Sequence, residues 1–209
     1  MVNRFQGVDP DRLYGLDIET DTTVNGLDPR VAPIVAVALA SSFGTQVFTG
    51  PEAELLGQVD AAVSALAPGV LVTWNGAAFD LPFLEDRSRM VGVHLGLVTA
   101  ADPLLEVRLD ALPGHRGSYR GSWGGHAHLD GYRVYRADVG AGLGLSCGLK
   151  AMARLVGLTP VEVDRSRISE LTPEALHDYV ASDAELARAL VLRRWPACAG
   201  GVDVMAAAA

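Results

Sequence analysis

From residue 13 to 19 the chain alternates, with Leu16 and Ile18 on one side of an extended segment and Asp17 and Glu19 on the other. This predicts a strand that ends in acid. "VAPIVAVALASS" (31–42) and "TQVFTG" (45–50) predict a hairpin through "SSFG", so three antiparallel strands open the fold. "PEAELLGQVDAAVSALA" (51–67) places apolar residues at 55, 56, 59, 62, 63 and 66, a helical period with Pro51 near its first turn. "VLVTWNG" (70–76) predicts a short buried strand, and "DLPFLEDRSRMVGV" (80–93) a second helix. Strands interleaved with helices in this order predict a mixed α/β fold around a central sheet.

The pattern then breaks. "LPGHRGSYRGSWGGHAH" (112–128) carries five glycines and no apolar period, which predicts a long loop. Its Arg116 and Arg120, mixed with Tyr119 and Trp123, suit phosphate contact and base stacking along a single strand, whereas the plainer reading is a disordered insertion. "HLDGYRVYR" (128–136) reads as an extended segment, and the glycine-rich bend after it leads into a helix that Ser146 is placed to cap. The last helix spans "TPEALHDYVASDAELARALVLRRW" (172–195), with Thr172 as N-cap, Pro173 at the first helical position and a frayed tail expected over 198–209. No internal repeat or heptad run appears in the sequence.

At 209 residues and 49% hydrophobic the chain can bury a core, and one domain over 1–209 with its core at about 13–194 is the expectation. No run of about 18 apolar residues occurs, and residues 1–15 hold no apolar secretory segment, so a cytoplasmic, membrane-free protein is expected. Cys147 and Cys198 lack the spacing of a zinc site and suit packing. The net charge of −8 argues against a broad nucleic-acid surface, yet the distribution is uneven. Residues 108–154 hold seven basic and three acidic residues, +4, against 10 basic and 22 acidic elsewhere, −12. One basic stretch on an acidic body suits local phosphate contact.

Asp17 and Glu19 share a strand face about 7 Å apart along the chain. They repel unless a cation intervenes, and Mg²⁺ or Mn²⁺ takes such hard oxygen ligands; a solvated strand end is the alternative. Asp80 opens a helix, where capping alone also accounts for a carboxylate. Asp183 lies mid-helix on an otherwise apolar face, with Tyr179 one turn earlier, a position that demands a partner or a metal.

"LDIET", "NGAAFD" and "YVASD" together resemble the three motifs of the DEDD superfamily of 3′–5′ exonucleases, in its tyrosine subgroup, over roughly residues 13–194. "HLDGYRVYR" and "LSCGLKAMARLVGL" are similar to the proofreading exonuclease domain of family B DNA polymerases and its stand-alone bacterial relatives. The resemblance implies a ribonuclease H-like fold. It implies that Asp17, Glu19, Asp80 and Asp183 hold two divalent cations, Mg²⁺ or Mn²⁺, about 4 Å apart for in-line attack on a 3′-terminal phosphodiester. It implies that Tyr179 orients the attacking water or acts as a base, with simple packing as its alternative. Asn75 is expected at the terminal nucleotide or in shaping the turn. Leu16, Trp74 and Phe79 are expected to wall the base or to pack the core, and Lys150 and Arg154 to meet phosphates or solvent. Asp130 is divided between a backbone hydrogen-bonding role and a metal role, and His115, His126 and His128 carry no ligand geometry. The expected activity is release of nucleoside 5′-monophosphates from a single-stranded 3′ end, DNA slightly favoured. Degradation of RNA or very short oligonucleotides, and a non-catalytic nucleic-acid-binding module, are the alternatives.

Overall fold

A computed structural model of the chain describes residues 5, 7–102 and 111–199. Seven strands form one sheet in the order β3-β2-β1-β4-β7-β6-β5, where β1 is Leu13–Thr20, β2 Ile34–Ser41, β3 Gly44–Thr49, β4 Val70–Thr73, β5 Leu97–Ala101, β6 Tyr119–Trp123 and β7 His126–Asp130. β1, β2 and β3 are antiparallel, as their alternation predicts, and β4 joins parallel to β1 through the helix α1 (Glu52–Ala65). α2 (Asp80–Val91) follows β4 directly. After β7 come α3 (Gly131–Tyr135), a π-helical turn over Arg136–Gly140, α4 (Ala141–Leu143), α5 (Leu149–Leu155) and α6 (Pro173–Ala199).

The two faces of the sheet are packed differently. Tyr14, Leu16 and Ile18 of β1 with Val37 and Leu39 of β2 bury against Leu55, Leu56, Val59 and Val63 of α1 and Phe83 and Leu84 of α2. The opposite face is built for closeness. There Ala36, Ala38 and Ala40 of β2 meet Val180 and Ala184 of α6, and Gly15 of β1 lies so near that a Cβ on it would collide with the Ala184 carbonyl oxygen. Small residues let the helix settle onto the strands, and Arg188 fixes the approach by donating from Nε to the Leu13 carbonyl at 2.8 Å. Asp183 thereby comes down onto the β1 face that carries Asp17 and Glu19. Thr172 caps α6 as its sequence predicts, its hydroxyl accepting from the Ala175 N–H at 3.2 Å.

Several expectations are corrected here. Within the expected 112–128 loop, residues 119–128 belong to the β6–β7 hairpin, with Trp123 at 0% exposure donating its indole N–H to Asp60 at 2.6 Å. The glycines disguise it: Gly121 packs under the end of the Leu81 side chain, and the strand's apolar alternation is interrupted at that point. Extended structure stops at Asp130, and 131–135 is helical rather than a continuation of a strand. The helix expected from Ser146 begins at Leu149, with Gly148 at its N-cap position. The C-terminal helix runs through Cys198 to Ala199, past the expected start of the tail, and 200–209 lie outside the described residues. Among the described residues no helix is long and apolar enough to cross a membrane.

Candidate metal centre

Three carboxylates converge. Asp17 and Glu19 from β1 and Asp183 from α6 each offer an oxygen, and these oxygens all lie within 4.8 Å of one another. Asp17 is half-buried as a residue, yet its Oδ2 is enclosed and has no hydrogen-bond partner among the described residues. A buried carboxylate oxygen without a donor is costly, and a divalent cation is a partner of the right hardness. Asp80 lies outside that trio but beside it. β4 pairs with β1 only over Leu13–Gly15, so the β1 edge beyond Gly15 is free, and the Asp80 carboxyl at the start of α2 faces the Ile18 N–H on it.

Electrostatics reflect this crowding. Burial, then Glu19, Asp183 and Asp80, push the Asp17 carboxyl well above the usual carboxylate range. Burial raises Glu19 to about 8 and Asp80 to about 7, each partly opposed by Arg165. Asp183 is raised by burial and held back chiefly by Lys150. The Tyr179 phenol is pushed up by burial and by Glu19 and Asp183, so it stays protonated. Its hydroxyl stands close enough to Asp183 to lower that carboxyl, but makes no hydrogen bond of ordinary geometry.

The pH consequence has a definite sign. A folded-state carboxyl held near 8 keeps a proton that the unfolded chain releases above about 4.5. Stability of the cation-free protein therefore falls as pH rises from about 5 to about 8, and a bound divalent cation reverses the loss. Thermal melts in EDTA should show a declining Tm over that window. The Tm gain on adding Mn²⁺ should be larger at pH 8 than at pH 6; an equal gain at both would contradict the assignment.

The remaining sequence candidates divide. Lys150 forms an ion pair with Asp183 and its Nζ lies 4.5 Å from the centre of the Tyr179 ring, so it faces the acids rather than waiting on the surface for phosphate. Leu16 is 0% exposed in the core and its side chain cannot wall a base. Phe79 is half-buried at the start of α2, 5.3 Å from Phe83, and Trp74 donates to the Cys147 carbonyl at 2.9 Å while packing on Tyr135. Arg116 is exposed three residues before β6, and Arg120 pairs with buried Asp102 at 2.9 Å. The basic stretch is thus largely spent internally: Arg133 also lies near Asp102 and Asp130, and Arg154 pairs with Glu162. His126 and His128 are buried, hydrogen-bonded to Val63 and Thr73, and His115 joins Tyr119 and Asp86.

Asp130 resolves as a backbone clamp. Its Oδ1 accepts from the Asn75 N–H at 2.8 Å and the Tyr132 N–H at 3.0 Å, and its Oδ2 from the Ala77 N–H at 3.2 Å. The clamp holds Asn75 at φ 69°, a left-handed conformation that turns the chain from β4 into α2 and so aims Asp80. Asp130→Ala strips the acceptor from three backbone N–H groups at about 1–3 kcal/mol for each left unsatisfied. A loss of at least about 3 kcal/mol in urea unfolding is expected; a wild-type midpoint would show that the clamp holds nothing.

Sequence reasoning missed Arg165. It lies in a 3-10 turn (Arg165–Glu170) between α5 and α6, and its charge acts on Asp17, Glu19, Asp80 and Asp183 alike. No periodicity or motif marks a single arginine in such a connection.

A mixed sheet thus carries carboxylates gathered from its first strand, a following helix and the last helix. The family profile described as DNA polymerase family B, exonuclease domain, matches residues 44–152, and the chain belongs to that family of 3′–5′ exonuclease domains. It is similar to the catalytic chains of DNA polymerase epsilon from Eremothecium gossypii, 31% identical over 137 residues, and from Arabidopsis thaliana, 32% identical over 137 residues. Each match takes in 64% of this chain but only 6% of the relative. The family B DNA polymerase of the hyperthermophilic archaeon Pyrobaculum calidifontis shares the fold with a TM-score of 0.70 at 23% identity, over 96% of this chain and 27% of that one.

Proposed function

We propose that the chain hydrolyses the terminal phosphodiester at the 3′ end of single-stranded nucleic acid, DNA in preference to RNA, and releases nucleoside 5′-monophosphates. The observation that carries this reading is the unpartnered Asp17 Oδ2 inside three converging carboxylates. Asp17, Glu19 and Asp183, with Asp80 alongside, are the residues that would hold two divalent cations. Such cations supply Lewis acidity to the phosphoryl group, to an attacking water and to the leaving 3′ oxygen.

The chain's own residues do the rest by positioning. Tyr179, kept protonated by burial and by the acids around it, orients the water through its hydroxyl rather than taking its proton. Lys150 anchors Asp183 and lies over the Tyr179 ring, fixing the helix-borne half of the site. Phe79, half-buried beside Asp80, offers a surface to the terminal base. The internal pairing of Arg120, Arg133, Lys150 and Arg154 leaves few described cations for a long strand, which favours contact with the last few nucleotides. The rate on a trinucleotide should therefore approach that on a 20-mer.

Chromatography of the products from single-stranded DNA and from RNA tests the proposal. Nucleoside 5′-monophosphates, formed faster from DNA, are expected; 3′-monophosphates or internal fragments would overturn it.

A further inference from the structure

Arg165 sits on a moored turn, and its side chain has no hydrogen-bond partner among the described residues. Ser169, four residues on, donates its hydroxyl to Asp21 at 2.7 Å and accepts from the Thr22 N–H at 2.8 Å, while its own N–H reaches Thr22 Oγ1 at 3.1 Å. The turn is thereby tied to the chain just after Glu19. Four residues before Arg165, the Val161 N–H donates to Ser182 Oγ at 3.2 Å, beside Asp183. Asp164 caps the turn through the Ser166 N–H at 3.0 Å, and Ile168 is buried beneath it. Arg165 lies between these moorings, which bracket the acidic cluster.

Among the described residues no hydrogen bond or close ion pair holds its guanidinium, whereas Lys150, Arg154 and Arg167 are paired with Asp183, Glu162 and Glu170. Its charge is felt throughout the site. The residue is exposed at the surface; partial desolvation of its guanidinium lowers its pKa, yet Tyr179, Glu19, Asp17 and Asp183 raise it.

We propose that Arg165 is a substrate-contacting residue whose guanidinium binds a nonbridging oxygen of the scissile phosphodiester. This rests on the exonuclease reading of the site and deepens it. A guanidinium does not ligate metal, and its planar fork of N–H donors matches two phosphate oxygens. Two divalent cations, held there, would neutralise the four carboxylates. The phosphodiester then adds a negative charge, which grows on its equatorial oxygens during attack, and Arg165, with no acid of its own among the described residues, is placed to meet it. The contact therefore selects a charged phosphodiester and holds it in line with Tyr179.

Arg165→Ala and Arg165→Lys test this in the full chain with two readouts. One is steady-state cleavage of a 5′-labelled single strand in Mg²⁺. The other is fluorescence anisotropy of a 5′-fluorescein single strand with Ca²⁺ as the divalent ion, over a range of salt. Loss of one charge-assisted contact should weaken binding and kcat/KM of Arg165→Ala by about 10- to 100-fold. The slope of log affinity against log salt should shrink by about 0.7, the value for one single-strand phosphate, and Arg165→Lys should restore it. An arginine that merely balances acids within the fold would change Tm and leave that slope alone. Arg165→Ala that binds as tightly as wild type, with the same slope, overturns the proposal whatever cleavage shows. Wild-type binding without cleavage, lost on Arg165→Ala, would instead sink the exonuclease reading and keep the phosphate contact.

Discussion

Asp183→Ala is expected to lower 3′-terminal cleavage by at least about a thousandfold, because divalent-ion stabilisation of phosphoryl charge amounts to several kcal/mol and each 1.4 kcal/mol is about tenfold. The residue is the sole contribution of α6 to the trio of converging carboxylates, and removing it also frees Lys150. Stability should move the other way. Asp183 is buried at 3% exposure among like charges, and deleting one of them relieves repulsion on Asp17 and Glu19. In EDTA at pH 8 the variant should therefore melt no lower than wild type, while its Tm gain from Mn²⁺ should largely disappear. Retained activity, read by release of terminal nucleotide, would mean the site is elsewhere.

Gly15→Ala is expected to do comparable damage without touching a charge. The new Cβ would run into the Ala184 carbonyl oxygen and stand 2.9 Å from its carbon, and backbone cannot rotate aside as a side chain can. Overpacking costs about 1–3 kcal/mol in ordinary cores and more against backbone, so a loss of about 3 kcal/mol is expected. For a chain of this size that corresponds to a Tm lowered by roughly 6–12 °C. If the fold survives, α6 must lift from β1, and a shift of about 1 Å in Asp183 is enough to lower the rate about a hundredfold. Gly57→Ala is the matched control. It lies exposed in α1 with open space at its Cβ, and should hold or raise Tm slightly. Calorimetry on both variants checks the pair; equal melting of Gly15→Ala and wild type would contradict the close contact between α6 and β1.

What the sequence disclosed follows from which interactions are local. β1 to β3, α1 and α2 were legible because their apolar positions repeat at two or at three to four, and β4 because it is a short apolar run before a turn. Asp17, Glu19 and Asp183 stood out because a carboxylate interrupts an apolar pattern at each place. The β6–β7 hairpin was not legible. Its buried positions are held by Gly121, Trp123, His126, His128, Leu129 and Asp130, of which three are polar residues satisfied by partners far along the chain. Charge misled for a similar reason. Residues 108–154 carry a local excess of cations, but Arg120 and Lys150 find their acids at Asp102 and Asp183, outside that window. Asp130 needed the fold before its role could be read, because the N–H groups it clamps at Asn75 and Ala77 are more than fifty residues away. Gly15 was equally silent: a glycine in a strand reads as weakness until the helix it admits is seen.

The central claim is that the β1 and α6 carboxylates form a divalent-metal site for hydrolysis at a 3′ end. The most direct measurement is a time course of wild-type protein on a 5′-labelled single strand in Mg²⁺ or Mn²⁺, alongside EDTA and alongside Asp17→Asn in the same metal. A ladder that shortens one nucleotide at a time from the 3′ end, abolished by EDTA and by Asp17→Asn, is the predicted result. Intact strands with wild-type protein in both metals, or a ladder that persists in EDTA, would contradict it.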